Sequence, residues 1–223
     1  MTQPTTAQSR RERHKAELRA ELLRAAHELI KEEGYEGLTI RNLAKRVGYA
    51  PMSVYSYFAD KHAILLALAE DAFATLAWRM EQDVPAEPLA ALRKIMDEYA
   101  IFALENPNEY RTVFMTFMTR DPAEFCERSV TGIEELEGRN PALRVLLKRV
   151  QACIDAGIFK GDAHAISTLL WSCSHGAISL QITRPFYPFG EPGKFLKTAM
   201  EVTLAGLRAQ QQVEALVAPE ERR

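Results

Sequence analysis

Apolar positions along the chain recur at helical spacing almost from the start. From Ala16 to Glu33, residues Leu18, Leu22, Ala25, Ala26, Leu29 and Ile30 lie three and four apart, which predicts one amphipathic helix ending at Gly34. Thr39 is placed to cap a short second helix, Ile40 to Val47, with Ile40, Leu43, Ala44 and Val47 facing inward and Gly48 as its stop. Pro51 suits the first turn of a third helix. Asp60 caps a fourth, from Lys61 to about Gln82, with Ile64, Leu65, Leu68, Ala72 and Leu76 on one stripe. Beyond the Pro85 and Pro88 break the same period predicts helices over 89–105, 107–118, 122–137, 141–157, 163–183 and 192–216, with Asp162 capping the one at 163. Without any alternating pattern of useful length, the expected class is all-α. It combines an N-terminal three-helix head containing a helix-turn-helix with a C-terminal antiparallel helical bundle.

Composition narrows this further. A chain of 223 residues with 47% hydrophobic and 26% charged residues is an ordinary globular protein large enough to bury a core. The longest uncharged apolar run, Ala63 to Ala69, is too short to cross a bilayer, and the N-terminus lacks the apolar centre of a secretion signal. Cys126, Cys153 and Cys173 are odd in number and widely spaced, so neither a disulfide framework nor a metal site is expected, and a reducing cytoplasm suits them. Net charge is −2, but residues 1–62 carry 11 Lys and Arg against 8 Asp and Glu, and the remainder 17 against 22. The basic excess begins with Arg10, Arg11, Arg13 and Lys15 in a segment, 1–15, expected to be a flexible arm. Such an arm can reach a polyanion or form a solvated tail.

The stretch from Gly37 to Phe58 adds chemistry to the charge. It reads as two short helices joined by a turn at Gly48, with Ala44 small enough for close packing and Val54, Tyr57 and Phe58 anchoring the later helix. The opposite face is then free to enter a DNA major groove. The residues Gly34-Tyr35, Gly37-Leu38-Thr39-Ile40-Arg41, Leu43-Ala44, Val47-Gly48, Val54-Tyr55, Tyr57-Phe58, Asp60-Lys61 and Leu65 resemble the TetR family of transcriptional regulators, over about residues 20–68. Ala50 departs from the pattern, standing where the family often places a capping Ser or Thr. A shorter match, Trp171-Ser-Cys-Ser-His175-Gly176 with Ala103 to Pro107, Tyr110 and Arg111, resembles the subgroup with a Trp…His-Gly signature.

The resemblance implies a homodimeric regulator, most often a repressor, whose heads bind palindromic double-stranded operator DNA and whose bundle binds a small molecule that alters DNA affinity. It implies a DNA-binding domain over 16–62 and an effector-binding and dimerisation domain over 63–223, with no cofactor. Carried over by position, Arg41, Pro51, Met52 and Ser53 lie nearest base edges. Arg41 offers a fork to guanine or a phosphate contact, and Pro51 and Met52 offer apolar surface to thymine methyls. Tyr55, Tyr57 and Lys61 resemble a phosphate clamp beside the start of the fourth helix, and Thr39 can join it. Tyr57 has a competing reading as a core anchor. Lys45 and Arg46 read as general electrostatic support.

In the bundle, Tyr99, Phe102, Tyr110, Phe114, Phe117, Met118, Trp171 and His175 are candidates for lining an effector pocket, against the alternative that they fill the core. Helices 163–183 and 192–216 resemble the family's dimerisation pair. A two-fold dimer would match half-sites about one helical turn, ~34 Å, apart. An enzyme built on Asp162, His164, Cys173 and His175 is the competing class. Cys173 and His175 are two apart and point to different sides of a helix, and no catalytic or dinucleotide fingerprint is present. A third class is a regulator whose bundle only dimerises.

Overall fold

The structure, a computed structural model, describes residues 6–115 and 140–209. Among them it contains nine α-helices: α1 (Thr6–Gly37), α2 (Ile40–Val47), α3 (Pro51–Tyr55), α4 (Lys61–Met80), α5 (Pro88–Glu105), α6 (Pro107–Tyr110), α7 (Pro141–Asp155), α8 (Ala163–Thr183) and α9 (Pro192–Ala209). A π-helical turn, Arg111–Met115, follows α6 directly. The all-α expectation therefore holds. The segment 122–137, Cys126, and the end of the last predicted helix beyond residue 209 lie outside the described residues.

Helix boundaries follow the local chemistry. Thr39 Oγ1 accepts the Asn42 amide at 3.0 Å at the start of α2. Gly48 closes that helix with φ 74°, a left-handed conformation costly for any residue with a side chain. Asp60 Oδ1 accepts the Ala63 amide at 2.9 Å and Asp162 Oδ1 the Ala165 amide at 2.8 Å, capping α4 and α8. α3 has no such cap: Ala50 offers no side-chain acceptor, and the Ser53 amide turns back to the Ala50 carbonyl at 2.9 Å. α1 differs from expectation at both ends. It begins at Thr6, so residues 6–15 of the expected arm are helical, and it continues to Gly37 only across a break at Gly34, where φ is 72°.

The chain divides into two compact units, Met1–Ala72 with Asn106–Thr131, and Phe73–Glu105 with Gly132–Arg223. This division differs from the expected boundary at 62/63: it passes through α4 and assigns α6 to the first unit. In the first unit, Leu22, Ala26 and Leu29 of α1, Leu43 and Ala44 of α2, Val54 of α3, Phe58 and Ile64 form one apolar cluster. Fully burying a leucine-sized side chain is worth about 1.5–3 kcal/mol, so this cluster, rather than helix propensity, holds the five residues of α3 in helical form. α6 packs against α1, where Asn108 Nδ2 donates to the Lys31 carbonyl at 3.0 Å and His27 Nε2 lies 3.5 Å from Glu109 Oε1.

In the second unit, α8 packs against α5, α7 and α9, and α5 against α7. Arg93 pairs in two-pronged fashion with Glu201, tying α5 to α9. Between α5 and α8, Trp171 Nε1 donates to Tyr99 Oη at 3.3 Å, and Tyr99 Oη lies 3.4 Å from His175 Nδ1. Burial pushes the His175 imidazole below its ordinary value, favouring the neutral ring.

These contacts set two expectations for stability. Thr39→Ala leaves the Asn42 amide without its cap and should lower stability by about 1 kcal/mol in urea denaturation. An imidazole held below its unfolded value of about 6.5 contributes stability above that pH and loses it on acidification. The urea midpoint should therefore fall between pH 7 and pH 5 by more in the wild type than in His175→Gln.

Candidate nucleic-acid interface

The sequence-predicted DNA residues fall on one small scaffold. From residue 37 to residue 59 the chain has Arg41, Lys45 and Arg46 and neither Asp nor Glu, so any anion meeting α2 and α3 finds no negative charge within that stretch. The inner side of this stretch is fixed by burial: Leu43, Ala44, Val54 and Phe58 are each 3% exposed or less. The outer side is open. Met52 is 75% exposed and Tyr55 48%, values high enough to mark side chains projecting from an otherwise packed module. Thr39, Arg41 and Pro51 are exposed as well, and Ser53 is half-buried. α3 thus presents an apolar surface at Pro51 and Met52, a hydroxyl at Ser53 and a phenol at Tyr55.

Three residues carry contacts within the head beside the DNA roles read from sequence, and Tyr57 takes the core-anchor alternative. Tyr57 is half-buried and packs on the apolar cluster of the head, which is the geometry of an anchor. Lys61 turns back to α1: its Nζ donates to the Tyr35 carbonyl at 2.8 Å and stands 3.5 Å from the centre of the Tyr35 ring. The break at Gly34 leaves that carbonyl near the helix end, where a lysine is a favourable partner. Burial lowers the Lys61 ammonium from its ordinary value, with Glu36 opposing the shift. Arg46 is not simply a spare positive charge. Its Nη1 donates to Glu32 Oε1 at 3.0 Å and lies 3.6 Å from Glu28 Oε2, so it clamps α2 onto α1, and its hydrogen bond holds the Glu32 carboxyl below the usual range. Glu28 and Glu32, one turn apart on α1, share a helix face, but nothing in the sequence tied that face to Arg46.

The effector candidates separate between the two units. Tyr99, Phe102, Trp171 and His175 belong to the second unit, whereas Tyr110 and Phe114, whose rings stack at 4.8 Å, belong to the first. Tyr99, Phe102 and Tyr110 are buried, Phe114 and His175 half-buried, and Trp171 is 43% exposed. Phe117 and Met118 lie outside the described residues. A groove of ≈ 230 Å³ in the second unit is lined instead by residues of α5, α8 and α9, among them Met96, Asp97, Ile101, Ser174, Lys197 and Met200. None of the candidate aromatics lines it. Its aliphatic residues repeat at the same spacing as core, so sequence pattern alone carried no signal for a groove.

Among the described residues no helix is long and apolar enough to cross a membrane, and no group of three or more His, Cys, Asp or Glu is placed to hold a metal ion.

Comparison with known proteins agrees with this geometry. Residues 22–68 match the model of the bacterial regulatory proteins of the tetR family, and residues 92–203 match the tetracyclin repressor-like C-terminal domain. The chain is 32% identical to the tetracycline repressor protein class A from transposon 1721 of Escherichia coli, over 66% of this chain and 60% of that protein. It is 39% identical to the HTH-type transcriptional repressor AcnR of Corynebacterium diphtheriae, over 26% of this chain and 31% of that protein. The chain thus spans 60% of the length of the first of these curated relatives and less of the second. Among solved structures, the TetR family regulator PfmR from Thermus thermophilus superposes with TM-score 0.56 at 23% identity, covering 83% of this chain and 98% of that one. The regulator FadR from Bacillus subtilis, in complex with stearoyl-CoA, gives 0.64 at 20% identity, covering 83% and 97%. These likenesses establish the fold, and the two family models together cover residues 22–68 and 92–203, most of the head and of the second unit's helices. The chain belongs to the TetR family, a family of bacterial transcriptional regulators rather than enzymes.

Proposed function

We propose that this chain is a homodimeric, sequence-specific repressor that leaves its operator when a small, largely apolar ligand binds the C-terminal domain. The observation that carries the DNA-binding part is the exposure of Met52 and Tyr55 on a five-residue helix whose inner side is fully buried, within a stretch free of acidic residues. A rigid, anion-compatible protrusion of this size suits a major groove. In this reading Arg41, Pro51, Met52 and Ser53 meet base edges or adjacent phosphates, and Tyr55 and Thr39 bind phosphate. Lys61 adds positive charge while holding Tyr35, and Tyr57 supports the scaffold from within. The family resemblance supports an operator of two half-sites, and two relatives are repressors by name.

The dimer is assigned to α8 and α9. Ser172, Leu180 and Thr183 of α8 are exposed on one side, with half-buried Gly176 and Ser179 among them. On α9, Thr198, Val202, Ala205, Gly206 and Ala209 form a second stripe, with Val202 at 67% exposure. Small and apolar residues left open along two neighbouring helices suit close packing against a second copy. The ligand-responsive part draws on relatives named as tetracycline repressors and on the FadR neighbour, which holds stearoyl-CoA. The Trp…His-Gly subgroup reading rests on Trp171, His175 and Gly176, two of which join Tyr99 in the contacts between α8 and α5. Domains 16–62 and 63–223 remain the functional division, with residues 1–15 as a basic extension toward DNA and the cytoplasm as the site of action.

Fluorescence anisotropy at two salt concentrations, with DNA spanning the chain's own promoter and a scrambled control, tests the reading. Tight, salt-sensitive binding that favours the promoter is expected, and equal weak binding to both would overturn it. Tyr55→Phe should weaken binding to every sequence by roughly five-fold, as for one lost hydrogen bond. Ser53→Ala and Met52→Ala should instead change preference among sequences, by about 1–3 kcal/mol where a base contact is lost. Lys61→Ala should lower both DNA affinity and the stability of the head, because it also removes the Tyr35 contact; Tyr55→Phe should leave stability unchanged.

A further inference from the structure

We propose that the groove among α5, α8 and α9 is the effector site and takes a small uncharged amphiphile, an apolar body carrying one hydroxyl or carbonyl group. This rests on the reading of the chain as a ligand-responsive regulator and specifies where and what it binds. Its lining is chiefly aliphatic: Met96, Ile101 and Leu104 come from α5, Ile178 from α8, and Leu196 and Met200 from α9. Ile101 and Leu104 are 42% and 37% exposed, so apolar surface remains open to water along its rim. Asp97 and Lys197 contribute one charge of each sign to the lining, which disfavours a ligand of either net charge.

The polar anchor is Ser174. It lines the groove, is 8% exposed, and its Oγ has no hydrogen-bond partner among the described residues. A buried hydroxyl without a partner is costly, and a ligand oxygen at this position would relieve the cost. Ser174 is one of three such residues on a single face of α8. Ser167 Oγ and Gln181 Oε1, each seven positions away, are also buried without partners, but of the three only Ser174 opens onto the groove. The volume, ≈ 230 Å³, falls below the range of about 300–1,000 Å³ usual for drug-sized ligands. At about 30 Å³ for each water-sized group, it holds on the order of ten heavy atoms.

The groove and the proposed dimer surface lie on opposite sides of the same helices. At about 3.6 residues per turn, Leu196 and Met200 are about half a turn from Thr198, Val202 and Ala209 on α9. Ser174 and Ile178 of α8 bear the same relation to Ser172, Gly176 and Thr183. A second copy docked on the outer stripes therefore leaves the groove accessible. A ligand in the groove presses on helices that the partner subunit contacts from the other side. Ligand binding is thereby coupled to dimer geometry, and through it to DNA affinity.

The test uses the full-length protein with 4-propylphenol and, as the partner lacking a hydroxyl, propylbenzene, followed by saturation-transfer NMR and calorimetry. Saturable binding of both is expected. Ala100 of α5 also lines the groove, and Ala100→Leu, which adds bulk there, should weaken both by at least about ten-fold. Ser174→Ala should weaken 4-propylphenol by about five-fold, as for one hydrogen bond, and leave propylbenzene unchanged. Thermal unfolding of each variant checks that it folds, and Ser174→Ala, a change of one buried oxygen, keeps the test decisive if Ala100→Leu does not. No saturable binding, or binding indifferent to both substitutions, overturns the proposal. Titration of 4-propylphenol into the complex with promoter DNA should lower DNA affinity in the wild type and not in Ala100→Leu; occupancy without that effect overturns the groove as the effector site. Promoter binding with an unoccupied groove would refute this inference alone. Groove occupancy with no preference for promoter DNA would refute the repressor reading and leave a ligand site in place.

Discussion

The close seating of α2 on α1, and of α3 on α2, around one apolar cluster is the constraint on which the head depends. Ala44 is 1% exposed within the shared apolar cluster, and Gly48 supplies the left-handed turn that brings the chain back toward α3. A helix of five residues has too few internal hydrogen bonds to persist alone. It persists here because Val54 at its inner side and Phe58 just beyond it are buried, while Arg19 stands 5.0 Å over the Phe58 ring. Burial on one side makes the exposed side precise. Met52 and Tyr55 owe their fixed directions to residues that never leave the core, and that fixity is what a groove-reading surface needs.

Much of this scaffold was legible because its determinants are local. Thr39, Gly48, Asp60 and Asp162 act within three or four residues of themselves, and the structure places each at the helix end that its chemistry demands. The apolar period likewise set the inner faces of α1, α2 and α4. Long-range partnerships were less legible. Arg46 finds Glu32 fourteen residues away, and Lys61 finds the Tyr35 carbonyl twenty-six residues away, across turns whose geometry the pattern does not encode. From sequence Arg46 read as general electrostatic support and Lys61 as part of a phosphate clamp, and both are used at least partly to hold the head together. The candidate DNA residues were found by resemblance and position. What the structure adds is their exposure, and the separation of Tyr57, which packs inward, from Met52 and Tyr55, which do not.

The second unit shows why a binding groove escapes a reading of aromatic spacing. Tyr99 and Phe102 are on α5's buried side, where volume is already filled. The open space lies further round the helix, against Ile101 and Leu104, and it is bounded by residues from three elements. Only packing reveals such a space. α8 then carries different environments on its two sides, buried polar atoms without partners toward the interior and small residues toward the outside. In the proposed mechanism this two-sidedness is what lets a ligand influence a dimer. The ligand must bind one arrangement of the helices better than the other, by about 1–3 kcal/mol for a typical coupling.

In the proposed mechanism two copies of α3 enter successive major grooves of one duplex. Methylation interference at guanine N7 on promoter DNA tests it most directly, because that atom lies in the major groove. Two clusters of interfering guanines are expected, related by a two-fold axis and separated by about one helical turn. A single cluster of guanines, or interference from adenine N3 methylation in the minor groove with none at guanine N7, would contradict it.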